Sequence, residues 1–184
     1  MKSRISDTIK EDHREIEACY YKIIHSTDRD EQIRFQNLLT WDLARLLVGE
    51  ELVVYPAIEK HVFNGHVAAE RDRHINQTVK EDLKKFQDLD PSNPEFTPAI
   101  TALMGDFSQH VHGEESTDLV QLEQSLSEKE SEKLARSFGR TKIFMPSRAH
   151  PGAPHNVPFE TAVGLLTAPF DQVADLFRKW PRHA

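Results

Sequence analysis

A chain of 184 residues with 38% hydrophobic content is long enough for one well-buried core and short for two. Its formal net charge of −7, with basic residues interspersed among acids, excludes general attraction to nucleic acid or an anionic bilayer, and no apolar run approaches the roughly 20 residues that cross a membrane. The lone cysteine, Cys19, excludes an intramolecular disulfide, a Cys-rich zinc site and a CxxC pair, and the N-terminus opens in a charged amphipathic segment rather than a signal-peptide core, so the expected compartment is the cytoplasm.

Apolar residues recur at three and four through the first 140 positions and glycine is scarce there, which predicts helices throughout, no sheet and no internal repeat. The first helix is expected from about Ser3 or Asp7 to His25, with Ile5, Ile9, His13, Ile16, Tyr20 and Ile23 on one stripe. Ser26 to Asp30 supplies turn and N-cap chemistry. The second helix then faces inward with Phe35, Leu39, Asp42 or Leu43, Leu46, Glu50, Val53 and Ala57, until Pro56 kinks or ends it near Tyr55. Gly49 costs about 1 kcal/mol relative to Ala inside a helix, which calls for close approach of a neighbouring helix, the simpler explanation, or for room for a ligand.

Asn64 and Gly65 close this segment. A third helix, from about His66 to Leu89, presents Val67, Arg71, His74 and Thr78 along one line, beside Ile75, Val79, Leu83 and Phe86. The Pro- and Asp-rich stretch Asp88 to Pro98 reads as a connection. The fourth helix carries Ile100, Leu103, Phe107, His110 and Glu114 on one stripe and ends near Leu126. Ser127 with Glu130 has the form of a capping box for a short fifth helix reaching about Gly139. A loop from Met145 to Pro158, containing His150 and His155, and an amphipathic segment from Phe159 to Phe177 follow. These elements predict an all-α, antiparallel up-down four-helix bundle over residues 1–126, with residues 127–184 as a C-terminal helical extension packed on it.

His13, Glu50, His74, His110 and Glu114 occupy core-facing positions, where an ionisable group is costly unless it has a partner. A buried metal ion reconciles them. Residues four apart on a helix differ by about 40° around the axis and rise about 6 Å, so His110 and Glu114 reach one point from successive turns. With His74 they make a 2-His-1-carboxylate set suited to iron, which Glu50 and His13 approach from the second and first helices.

The ordered combination of His13 in EDHREIE, the run GEELVVYP at Gly49 to Pro56, His74, and HVHGEE at His110 to Glu115 resembles the hemerythrin-like, or HHE cation-binding, family over roughly the first 125 residues. The resemblance implies a non-heme di-iron site in a four-helix bundle, with Glu50 and Glu114 bridging, His74 and His110 on one ion, and His13 with a histidine at position 46 on the other. This chain has Leu46 there. Three states follow: a di-iron centre with an open position, a mono-iron centre on His74, His110 and Glu114, or a metal-free acid–base cluster.

Three functions correspond. The first is an iron protein, an oxidoreductase in its catalytic form, that uses O2 or a peroxide, with a small molecule as the substrate to be oxidised. The second is a module that binds or senses O2, NO or iron without turnover. The third is a metal-free enzyme using the same imidazoles and carboxylates for proton transfer. Glu17, His112 and Glu115 read as surface residues, and Tyr20 as a plug in the bundle.

Overall fold

A computed structural model describes residues 3–142, Asp175 and residues 178–181. Helix α1, Ile5–His25, buries Ile5, Ile9, His13, Ile16, Cys19 and Ile23, so Cys19 takes the inward place expected of Tyr20, which is half-buried. Asp28 caps helix α2, Arg29–Gly49, by accepting from the Asp30 N–H at 2.8 Å. The chain then widens into a π-helical turn, Glu50–Val54, before continuing as α3, Tyr55–His61. Pro56 falls in the first turn of α3, where its missing N–H costs least, so the helical rod is re-registered rather than ended.

Asn64 adopts a left-handed conformation, φ 55°, at the turn into α4, Gly65–Phe86. A Cβ on Gly65 would sit 2.0 Å from the Ile58 carbonyl oxygen, which is why the second residue of this turn has no side chain. Helix α5, Phe96–Gly113, leads into a second π-helical turn, Glu114–Asp118, and α6, Leu119–Ser125. The rods α1, α2 with α3, α4, and α5 with α6 form the four-helix bundle, α1 packing on α2 and α4 on α5. No strand occurs among the described residues.

Helix α7, Glu128–Lys142, begins at the expected capping box, with the Ser127 N–H and hydroxyl donating to Glu130 Oε2 at 2.9 and 2.6 Å and the Glu130 N–H donating to Ser127 Oγ at 3.4 Å. It lies against α1 and α2. The Phe138 ring occupies the space that a side chain on Gly49 would need, 2.7 Å from the ideal Cβ position, so the close helix approach anticipated at Gly49 is made by α7. Residues 178–181 lie against α2, where Arg34 donates to the Trp180 carbonyl at 2.7 Å and Asn37 to that of Lys179 at 2.9 Å. The loop from Met145 to Pro158, with His150 and His155, and nearly all of the segment from Phe159 to Phe177 fall outside the described residues.

Candidate metal centre

Midway along the bundle, four ionisable side chains from four different places in the sequence converge in the dry core. They are His13 from α1, Glu50 from the first π turn, His110 from α5 and Glu114 from the second π turn, each no more than 2% exposed. One donor atom from each lies within 4.8 Å of the others. His13 Nε2 is 3.4 Å from Glu114 Oε2 and 3.8 Å from Glu50 Oε1. His110 Nε2 mirrors this, 3.4 Å from Glu50 Oε2 and 3.8 Å from Glu114 Oε2.

Each carboxylate is the first residue of a π-helical turn, a local widening that costs a regular hydrogen bond and is common at functional sites. The two turns also share a sequence. LLVGEE at 46–51 and HVHGEE at 110–115 align Leu46 with His110, Gly49 with Gly113 and Glu50 with Glu114. What the two segments share is the tripeptide Gly-Glu-Glu on matching π turns, and it spans the site.

His74 is not in this cluster. The buried line of α4 is Ala69, Asp72, Asn76, Val79, Leu83 and Phe86, and His74, two residues from Asn76, points about 200° away from it into solvent. Val79, Leu83 and Phe86 set the rotation of α4, and the polar line through Arg71, His74 and Thr78 is left outside. In place of His74, α4 supplies Asn76, fully buried, whose side-chain N–H2 donates to Glu50 Oε2 at 3.1 Å. The register of α4 does not bring His74 to His110 and Glu114.

Asn76, Tyr55 and Glu115 join the site without having been marked by their spacing. The Tyr55 hydroxyl, in a fully buried side chain, donates to Glu50 Oε2 at 3.3 Å. Glu115, expected at the surface, instead has Oε1 2.8 Å from His13 Nδ1, while Arg14 forks onto both its oxygens at 2.8 and 2.7 Å. Glu17 and His112 do lie outside the site, Glu17 paired with Arg14 and His112 exposed. The signal that distinguishes Glu115 is its place in the repeated Gly-Glu-Glu, whose other copy puts buried Glu51 against Lys80 of α4 at 2.5 Å.

Burial opposes charge on both site histidines, yet the neighbouring carboxylates prevail. Glu114 and Glu50 raise His13 to about 10, and Glu50 with Glu114 raises His110 to about 9. Burial works against Glu50 as well, but the two imidazoles hold it well below the usual carboxylate range. Burial and the charge of Glu50 push Glu114 upward. Without a cation the cluster thus neutralises itself by protonating its imidazoles.

Protonation does not satisfy the geometry. His13 Nε2, His110 Nε2, Glu50 Oε1 and both oxygens of Glu114 are buried without a hydrogen-bond partner. Leaving such atoms unsatisfied costs about 1–3 kcal/mol each. Donors about 2.1 Å from a tetrahedral ion stand about 3.4 Å apart, which the His13–Glu114 and His110–Glu50 contacts match at 3.4 Å, while one atom from each of the four residues lies within 4.8 Å of the others. The donor set and its spacing therefore fit a metal ion.

The family model described as the hemerythrin HHE cation binding domain matches residues 4–122. The chain is 47% identical over 180 residues to an uncharacterized hemerythrin-like protein of Schizosaccharomyces pombe, covering 97% of this chain and 89% of that one. No solved structure matches it with comparable significance. With a helical bundle that gathers imidazoles and carboxylates at its centre and a family match over most of its length, the chain belongs to the hemerythrin family of HHE cation-binding domains.

Proposed function

We propose that this protein is a non-heme iron protein that holds iron through His13, Glu50, His110 and Glu114 and employs it with O2 or a peroxide. The observation that carries this reading is the convergence of five buried, unpartnered donor atoms from those four side chains. A balanced set of imidazole and carboxylate donors suits iron and related first-row ions better than calcium or magnesium, which favour all-oxygen sites. Bound iron would supply one-electron redox chemistry toward O2 or peroxide.

The protein's own contribution is orientation and dryness. Glu115 would direct His13 by accepting a hydrogen bond from Nδ1–H, which leaves the Nε2 lone pair facing the centre. Asn76 and Tyr55 anchor one oxygen of Glu50, so that its other oxygen stays turned toward His13. Leu46, fully buried one helical turn before Glu50, adds hydrocarbon where the second Gly-Glu-Glu segment has His110.

Reversible binding or sensing of a diatomic ligand is a second reading, favoured by the burial of the four donors. Side chains 0–2% exposed are reached by O2 or NO through small fluctuations, whereas a bulkier organic substrate needs the helices to part. Elemental analysis of protein expressed with iron, with absorption spectra recorded under air and after anaerobic reduction, tests both. Stoichiometric iron with charge-transfer bands that change with O2 supports the iron reading. Turnover of an added reductant separates catalysis from sensing, and protein that neither retains nor takes up iron overturns both.

A further inference from the structure

The two halves of the bundle correspond element by element, a pseudo-symmetry in the order of helices and π turns. Helices α1 and α2 with the first π turn correspond to α4 and α5 with the second. Glu50 corresponds to Glu114, and Leu46 to His110, by the repeated Gly-Glu-Glu and the two π turns. The first helix of each half supplies the matching contact to the other half: His13 of α1 lies 3.4 Å from Glu114, and Asn76 of α4 lies 3.1 Å from Glu50. The second glutamate of each triplet completes the relation, Glu115 pairing with His13 and Arg14 of α1 and Glu51 with Lys80 of α4.

Under this symmetry His13 and Asn76 are equivalent positions, as are His110 and Leu46. Each half keeps one imidazole and one carboxylate and has lost one nitrogen ligand. The losses differ in chemistry. Leu46 offers no donor at all, while the Asn76 amide is turned so that its N–H2 donates to Glu50, and its Oδ1 is buried without a partner. Each half is left with a single imidazole and with carboxylates that both halves share, so either half by itself is short of protein donors.

Resting on the iron reading above, we infer that this centre is a one-ion site formed by merging two half-sites, and that Leu46 and Asn76 are the pair of residues that set its capacity at one. His13 and His110 together with the carboxylates of Glu50 and Glu114 would hold the ion. Restoring a nitrogen at only one of the two positions completes one half and leaves the other deficient, so a single substitution does not add an ion.

Anaerobic titration of full-length protein with Fe(II), followed by elemental analysis after desalting, reads the capacity directly. The inference expects one equivalent for the wild type, one for Leu46→His, one for Asn76→His and two for the double variant. The variants His13→Gln and His110→Gln supply an independent check. If both imidazoles hold the same ion, either substitution lowers affinity at least 100-fold and leaves no half-occupied protein. Two equivalents in the wild type, with one retained in His13→Gln or His110→Gln, overturn the merged site while leaving the iron reading intact. No uptake by the wild type overturns the iron reading itself. A double variant that is helical by circular dichroism and still binds one ion overturns the equivalence of Leu46 and Asn76. If the double variant does not fold, the wild-type capacity and the two histidine variants decide the number of ions.

Discussion

His13 Nδ1 lies 2.8 Å from Glu115 Oε1, and this contact ties a fully buried imidazole to a carboxylate that reaches the protein surface. Arg14 grips the same carboxylate from outside, so Glu115 is fixed at both ends. A partner of this kind selects the tautomer of a metal-binding imidazole and limits its rotation. Glu115→Ala is expected to weaken iron binding by about 10–100-fold, and Glu115→Gln, which keeps an accepting oxygen, by less. The Glu115 side chain is 19% exposed, so neither change should unfold the bundle. Competition with a chelator of known affinity, beside a thermal melt, checks the prediction; equal affinity in all three proteins would remove Glu115 from the site.

The charge state of the metal-free cluster makes metal uptake depend steeply on pH. His13 and His110 are raised to about 10 and about 9, above the ordinary imidazole value of 6.5, so both are protonated at neutral pH. Coordination needs both neutral, and each bound ion therefore displaces about two protons. Affinity should rise with pH by about two log units per unit between about pH 7.5 and 8.5, more steeply below pH 7, where Glu114, raised to about 7 by burial and the charge of Glu50, is protonated as well, and flatten above 9 to 10. Proton release in weakly buffered titrations measures this slope. The metal-free fold follows the opposite sign: its stabilisation by charged imidazoles is complete below pH 6.5 and is lost as pH rises through 9 to 10. Metal-free protein should therefore melt at lower temperature at pH 10 than at pH 7, and metal-loaded protein should show less of this loss.

Much of this centre was legible in the sequence because four of its residues interrupt otherwise apolar stripes. His13 stands between Ile9 and Ile16, and His110 follows Phe107, so the helical period alone turns them inward. Helix α4 carries no such frame. Its polar residues permit one line through Val67 and His74 and another through Ala69 and Asn76, and the choice is made by contacts between helices. Asn76 is buried because Glu50 accepts its hydrogen bond, and Asp72 because Arg71 bridges it to Asp118 at 2.9 and 2.7 Å. Glu50 and Asp118 both lie outside α4, so its own sequence does not show them. The π turns are hidden from a 3.6-residue period for a related reason: each inserts a wider turn and shifts every later residue around the axis. Pro56 marked the first as a break, while the repeated Gly-Glu-Glu is the mark that locates both.

Gly49 and Gly113, equivalent in that repeat, are expected to respond oppositely to the same substitution. A methyl group on Gly49 would meet the Phe138 ring at 2.7 Å, whereas one on Gly113 would meet nothing within 4 Å. Gly49→Ala must push α7 away from α2 and should cost about 1–3 kcal/mol. Gly113→Ala gains helix propensity without a clash and should stabilise by about 0.5–1 kcal/mol. Denaturant melts of the two variants test the asymmetry. Because Glu50 follows Gly49 directly, Gly49→Ala should also weaken iron binding, and unchanged affinity would show that Phe138 does not help to place Glu50.

Asp72 and Asp118 are both buried, and the guanidinium of Arg71, itself 51% exposed, bridges them. Burial, then the charge of Asp118, raises Asp72 to about 6, above its ordinary value of 3.8, despite Arg71. An acid with a raised value destabilises the fold as pH climbs from 3.8 through 6, so this pair costs stability at neutral pH that mild acid restores. Arg71→Met removes the bridging charge and should cost about 1–2 kcal/mol at pH 7, a modest figure because solvent already screens the half-exposed guanidinium. At pH 5, where Asp72 is largely protonated, the difference from wild type should shrink. Paired melts at the two pH values decide the matter: an equal loss at both would mean that Arg71 acts through packing of its side-chain stem rather than through the two carboxylates.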